Sequence, residues 1–273
     1  MNAPHASRRF RERRWFGSAM LVAAIIFLYL PLVVLVANSF NASKYGGRWT
    51  GFTLHWYEEL MRDTTTMAAL GNTARIAFSA SLGATLLGTL AAWCIHRYSS
   101  RLQKLHLLVT ELPLVIPDIW IGVAMQVFFV AVGWNLGLTT VVVAHVTFCL
   151  CYVTALMLGR LQDFDPAVLD AAADLGATPA QTMTRVVLPL LAPGMAAAFL
   201  LSLILSIDDF VITFFVSGPG ASTLPTRVYG LAKTSRTLPV INALSSILIL
   251  LAFVVTFAGH RFMRKPSART NPQ

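Results

Sequence analysis

Apolar runs with almost no charge fall near 16–38, 68–95, 105–131, 138–158, 191–216 and 238–260. At about 1.5 Å of rise per residue, each is long enough to cross roughly 30 Å of hydrocarbon. The runs predict an all-α, polytopic membrane protein with six transmembrane helices and both termini on one side. The balance of 56% hydrophobic against 12% charged residues agrees, since soluble domains carry roughly 25% charge. Pro31, Pro113, Pro117 and the pair Asp208-Asp209 interrupt the runs, so segment ends are less firmly marked than their number. Three zones follow: a basic arm over 1–15, a transmembrane region over 16–263, and a tail over 264–273.

Orientation comes from lysine and arginine in the short loops, which stay cytoplasmic. Fourteen such residues (Arg8, Arg9, Arg11, Arg13, Arg14, Arg97, Arg101, Lys104, Arg160, Arg185, Arg261, Arg264, Lys265 and Arg269) lie on one side, against six (Lys44, Arg48, Arg62, Arg227, Lys233 and Arg236) on the other. The first side is cytoplasmic and holds both termini and the loop over 159–190. The net charge of +9 sits beside helix ends, where anionic headgroups attract it, and no aromatic-interleaved basic face accompanies it. Membrane lipid is the expected partner of that charge, and nucleic acid is not. The run from Phe16 to Ala37 exceeds the about 7–15 residues of a signal peptide core, so an uncleaved first helix is expected.

Catalytic chemistry has no foothold. The sequence contains no phosphate-binding G-x-x-x-x-G-K-[ST], no nucleophile elbow and no H-E-x-x-H. Gly218-Pro219-Gly220-Ala221-Ser222-Thr223 lacks the lysine a phosphate loop needs. Cys149 and Cys151, two apart on a helix, point to different sides and make no metal pair. His145 stands alone in an apolar run and reads as a packed, hydrogen-bonded side chain. No catalytic residue, metal site or cofactor is expected in this chain.

The costly residues are acids within the apolar runs: Glu111 and Asp118 in the third, Asp208 and Asp209 in the fifth. A carboxylate at the centre of a membrane helix costs roughly 2.5–3.5 kcal/mol on insertion scales, so such groups face a cavity or a partner. These four are the candidates for a substrate path. Arg75, at similar depth in the second helix, is a rival partner for one of the two adjacent aspartates. It can hardly satisfy both, because neighbours on a helix point about 100° apart.

One loop does not read as membrane. Asp165-Pro166 starts a helix that Gly176 stops, and Thr178-Pro179-Ala180-Gln181 starts a second with a capping-box pattern. Met183, Val186, Val187 and Leu190 give that second helix one greasy side. Each helix spans about ten residues, below the roughly 12–15 at which isolated helices become marginal, so both must be ordered by packing. Pro166, Asp170 and Asp174 share one face of the first helix, beside a smooth face of Leu169, Ala172, Ala173 and Gly176. The reading is a cytoplasmic socket for another protein.

Asp170-Ala171-Ala172, then Gly176, then Leu188-Pro189 with Pro193, closely resembles the cytoplasmic "EAA" loop of type I ABC importer permeases, with aspartate in the place of the usual glutamate. From about Tyr29 onward, Ser39-Phe40-Asn41, Trp56-Tyr57, Leu114-Val115-Ile116-Pro117-Asp118, Ala144-His145-Val146-Thr147-Phe148-Cys149, Ser206-Ile207-Asp208-Asp209-Phe210-Val211 and Phe215-Val216-Ser217-Gly218-Pro219-Gly220 look like the polyamine branch of that family. The resemblance implies a subunit of a bacterial inner-membrane importer that moves polyamine, putrescine first, into the cytoplasm. It implies a second homologous permease, a periplasmic substrate-binding protein, and an ATPase dimer that carries the ATP and Mg. Asp170, Ala171, Ala172, Asp174, Leu175, Gly176, Ala177 and Pro179 would then couple to the ATPase. The alternatives are the same architecture with another small solute, or an ion-coupled secondary transporter, whose mark would be duplicated broken helices that the sequence does not display.

Overall fold

The computed structural model describes residues 5–44, 48–98, 101–234 and 238–263; the tail over 264–273 and the first residues of the basic arm lie outside them. In chain order the helices are α1 (His5–Ser39), α2 (His55–Arg62), α3 (Thr64–Arg97), α4 (Gln103–Val115), α5 (Asp118–Ala131), α6 (Leu138–Gln162), α7 (Ala167–Asp174), α8 (Pro179–Thr182), α9 (Leu188–Asp208), α10 (Val211–Val216), α11 (Leu224–Thr234) and α12 (Leu238–Met263). A π-turn over Met183–Val187 joins α8 to α9. Among the described residues no strand forms beyond an isolated bridge between Asn41 and Phe52.

The helices separate into two units, one of Thr64–Tyr229 and the other of Met1–Asp63 with Gly230–Gln273. In the first unit, small residues let helices approach closely. α3 buries Ala69, Ala77, Ala80, Ala84 and Ala92, and a Cβ on Gly88 would sit 2.7 Å from Val153 Cγ1 on α6. Lipid offers apolar side chains nothing that a neighbouring helix does not, so such van der Waals contact drives association here. α9 packs on both α3 and α6, burying Leu191, Gly194, Ala198, Ser202 and Ser206.

In the second unit Asn41 ties the turn after α1. Its Oδ1 accepts from the Ser43 and Thr50 amides, each at 3.1 Å, and its Nδ2 donates to the Arg48 carbonyl at 2.8 Å. Trp56 Nε1 on α2 donates to the Asn41 carbonyl at 2.7 Å.

Four helical stretches, Gly17–Ser39, Thr64–Arg97, Leu138–Gln162 and Pro179–Asp208, are long and apolar enough to cross a membrane, and α4 with α5 would make a fifth. The described apolar part of α12, Leu238–Val254, is shorter. The continuous crossing expected over 105–131 is broken: α4 and α5 meet at 111°. Pro117 is the cause. It has no amide hydrogen to extend α4, and its ring forces Ile116 into an extended conformation at ψ 131°. The fifth apolar run also breaks, with Asp209 extended at ψ 121° between α9 and α10.

Candidate functional site

Two regions gather the sequence-predicted residues, and α9 connects them. The first is the hairpin. Asp165 Oδ1 accepts the Ala167 amide at 2.9 Å and opens α7. Its end is a Schellman turn: Ala177 N donates to Ala172 O at 3.0 Å, Gly176 N donates to Ala173 O at 2.9 Å, and Gly176 takes φ +75°. Thr178 then caps α8. Its Oγ1 accepts the Gln181 amide at 3.4 Å while Gln181 Oε1 accepts the Thr178 amide at 2.9 Å, the reciprocal box the sequence predicts. The hairpin presents Asp170, Ala171, Asp174, Leu175, Gly176 and Pro179 at its surface, with Leu175 88% exposed at the tip.

Two expectations change there. Ala172 is buried against its own chain, so it packs the hairpin and leaves the outer face to Asp170, Ala171 and Asp174; Ala177 is half-buried. Nor is the second helix a separate short element. Through the π-turn it continues into α9, so Pro179–Asp208 forms one 30-residue stretch, about 45 Å long. Of the expected greasy side, Val187 is buried in the core of the unit and Met183 packs against it, but Leu190 is 55% exposed and Leu191 takes the inward place, because the π-turn adds a residue and rotates the face that follows it.

The second region lies at the far end of this rod. Asp209 ends α9 and caps α10: its carboxylate accepts from the Ile212 amide at 3.2 Å, the Thr213 amide at 2.8 Å and Thr213 Oγ1 at 2.9 Å. His145 Nε2 on α6 adds a fourth donor at 3.1 Å, and its Nδ1 lies 2.7 Å from Ser206 Oγ. The histidine side chain is 1% exposed and the aspartate 7%. A buried carboxylate is tolerable only when its oxygens are filled in this way. The expected pairing with Arg75 is not formed. Arg75 is exposed on α3, and the side chain that reaches the Asp209 carboxylate from another helix is His145, at 3.1 Å.

Asp208, one residue earlier, is exposed. The chain then sets Phe210 and Phe214 against Tyr229, with ring centres 4.8 and 6.3 Å from the tyrosine. α5 crosses α10 closely: a Cβ on Gly122 would lie 2.8 Å from Phe215 Cδ2 and 3.3 Å from Ile212 Cα. That crossing holds Asp118, one turn before Gly122, within electrostatic reach of Asp209 and of Tyr152. Beyond α10, Thr140 Oγ1 donates to the Val216 carbonyl at 2.8 Å. Asn72 Nδ2 donates to the Gly220 and Ser222 carbonyls at 2.9 and 3.0 Å. Gly218 is obligatory, because a Cβ there would run into the Leu136 carbonyl.

Glu111 does not join the other acids. The bend at Pro117 turns α4 away, and Glu111 lines a separate cavity with the ends of α3 and α6. Phe210 and Phe214 are not among the residues the sequence singles out, although their i, i+4 spacing beside an acid is a signal that marks them. Tyr152 and Tyr229 carry no such signal, because only packing brings them near Asp118 and Phe210. Among the described residues no cluster of histidine, cysteine or acidic side chains is arranged to hold a metal.

Residues 84–268 match the family described as binding-protein-dependent transport system inner membrane component. The chain is 38% identical over 254 residues to the spermidine/putrescine transport system permease protein PotC of Haemophilus influenzae, covering 93% of this chain and 98% of that one. It is also 38% identical over 253 residues to the putrescine transport system permease protein PotI of Escherichia coli K12, covering 90% of each. The fold is similar, with a TM-score of 0.74 at 18% identity, to a bacterial ABC transporter chain involved in import of the acidic polysaccharide alginate, over 96% of this chain and 100% of that one.

Proposed function

The chain belongs to the family of binding-protein-dependent transport system inner membrane components, and on that footing we propose that it is the membrane-spanning subunit of an ATP-driven polyamine importer in a bacterial inner membrane. It is a transport subunit, as its relatives are, and not an enzyme. Its partners in this reading are a second permease of the same family, a periplasmic binding protein and a cytoplasmic ATPase dimer. Six crossings, with α12 as the last, put both termini in the cytoplasm. The observation that carries the polyamine cargo is the likeness to two polyamine permeases over nearly the whole chain; the hairpin alone would suit any solute.

The geometry supports a lever. ATP with Mg on the partner ATPase supplies the work, and the exposed tip at Leu175 and Gly176, flanked by Asp170 and Asp174, receives it. Because the helix runs from Pro179 to Asp208 without a gap, displacement of the tip is transmitted to the depth of the acids. At that depth the roles divide. Asp209 is filled by four donors and fixes the break between α9 and α10. Asp208 and Asp118 are exposed on this chain, and a bare carboxylate in hydrocarbon is too costly unless it faces a path or a partner. With the faces of Phe210, Phe214 and Tyr229 alongside, they suit a dication, attracted by charge and by ring faces alike.

The test is uptake of radiolabelled putrescine and spermidine by a strain lacking this subunit, complemented with the wild-type gene, Asp208→Asn or Asp118→Asn. Wild type is expected to restore uptake of at least one amine. Asp208→Asn is expected to reduce it about tenfold or more while the subunit stays in the membrane. No restored uptake of either amine would defeat the cargo, and full activity of both variants would defeat the path.

A further inference from the structure

Of the four acids in the apolar runs, Asp208 and Asp118 face the proposed path and Asp209 is filled by its own donors; Glu111 has neither duty. It lines an open-sided cavity of about 480 Å³ between the ends of α3, α4 and α6 and is itself exposed there; the volume is within the range of small-molecule sites, roughly 300–1,000 Å³. Its carboxylate makes no hydrogen bond or ion pair among the described residues. Polar groups converge beside it: His96 at the end of α3, Gln103 at the start of α4, and Gln162 at the end of α6. Gln103 Nε2 donates to the Ile95 carbonyl at 3.1 Å, a bond that holds the amide by its nitrogen and leaves the oxygen as an acceptor. The remaining wall is aliphatic, with Leu107 and Leu158. Gly159 opens it further, since a Cβ added there would meet nothing within 4 Å.

We propose that this cavity is a binding site for a primary alkylammonium group, separate from the transport path. An ammonium carries three donors and no acceptor. The Glu111 carboxylate and the amide oxygens of Gln103 and Gln162 supply acceptors, and the leucines cover a short methylene chain. An anion is disfavoured by the carboxylate, and a neutral apolar ligand would leave it buried without a partner. By positive-inside orientation the cavity lies toward the cytoplasm. There the same ammonium chemistry comes from two sources: a free di- or polyamine already inside the cell, or the headgroup of phosphatidylethanolamine in the inner leaflet. Either occupant would bridge α4 to α6 and hold the bent segment at Pro117 in place.

The site requires an ammonium and not an imported one, so its test is independent of the cargo assay. The full chain, with the subunits that copurify, is placed in phosphatidylcholine nanodiscs. Binding of butane-1,4-diamine is measured by titration calorimetry, and retention of added phosphatidylethanolamine by native mass spectrometry. Glu111→Gln keeps the size and removes the charge; Gly159→Leu fills the cavity at a position where the fold has room. Both are expected to weaken one of the two ligands about tenfold. Loss of diamine binding identifies the free amine as the occupant, and loss of lipid retention identifies the headgroup. Wild-type binding of both ligands by both variants, or no binding of either by the wild type, overturns the proposal.

Discussion

Asp209 shows how an acid deep in a membrane helix is stabilised. The carboxylate replaces the backbone bonds lost where α9 breaks, accepting the Ile212 and Thr213 amides. His145 completes it from another helix. Removing His145 takes one of four donors from a buried carboxylate and leaves Ser206 without its partner, and a hydrogen bond to a charged group is worth about 1.5–3 kcal/mol. His145→Ala is therefore expected to lower the thermal unfolding temperature of the detergent-solubilised chain markedly. Exposed Arg75→Ala should leave it nearly unchanged. Equal loss in both variants would restore Arg75 as the partner. Two neighbouring aspartates thus have different duties, one inward and filled, the other outward and free.

At the scale of elements, the hairpin reads almost entirely from its own residues. Asp165, Gly176, Thr178 and Gln181 each act on amides or carbonyls within a turn of themselves, so their effect survives whatever surrounds them. Gly176→Asp tests what the tip is for. The left-handed conformation costs an aspartate roughly 1–2 kcal/mol or less, and nothing in the chain obstructs its Cβ. The variant should reach the membrane in normal amount, yet fail in uptake and fail to copurify the ATPase. Leu175→Asp, at an 88% exposed position, should behave alike. Wild-type copurification of the ATPase by both would remove the tip from the interface. The helix after Thr178 is a different case. Its local pattern marks a start and no end, and only packing on α3 and α6 extends it to Asp208.

For the whole molecule, the proposed topology takes its six crossings from the apolar runs and its cytoplasmic ends from the arginine and lysine bias. A green fluorescent protein fused after residue 273 is expected to fluoresce, and alkaline phosphatase fused there is expected to be inactive. Active phosphatase would mean an odd number of crossings or a reversed orientation, and either overturns this topology. Fold class, family and hairpin were legible in the sequence, because apolar length, loop charge and caps are properties of contiguous residues. The paths of α4 and of the acids were not. Pro117 announces a break, but neither its 111° angle nor the close crossing of α5 over α10 at Gly122 is written in the local residues. That angle sends Glu111 to one cavity and Asp118 toward Asp209. The choice of His145 over Arg75 likewise spans 64 residues of sequence and depends on which faces of α6 and α9 meet. The sequence by itself determined that this chain is helical, rich in membrane-length apolar runs and equipped with a capped hairpin, since those signals act over one helix turn or one bilayer thickness. Only the tertiary structure decided which acid is filled and which is free, because a buried charge takes its partner from whatever helix packing brings within hydrogen-bond reach.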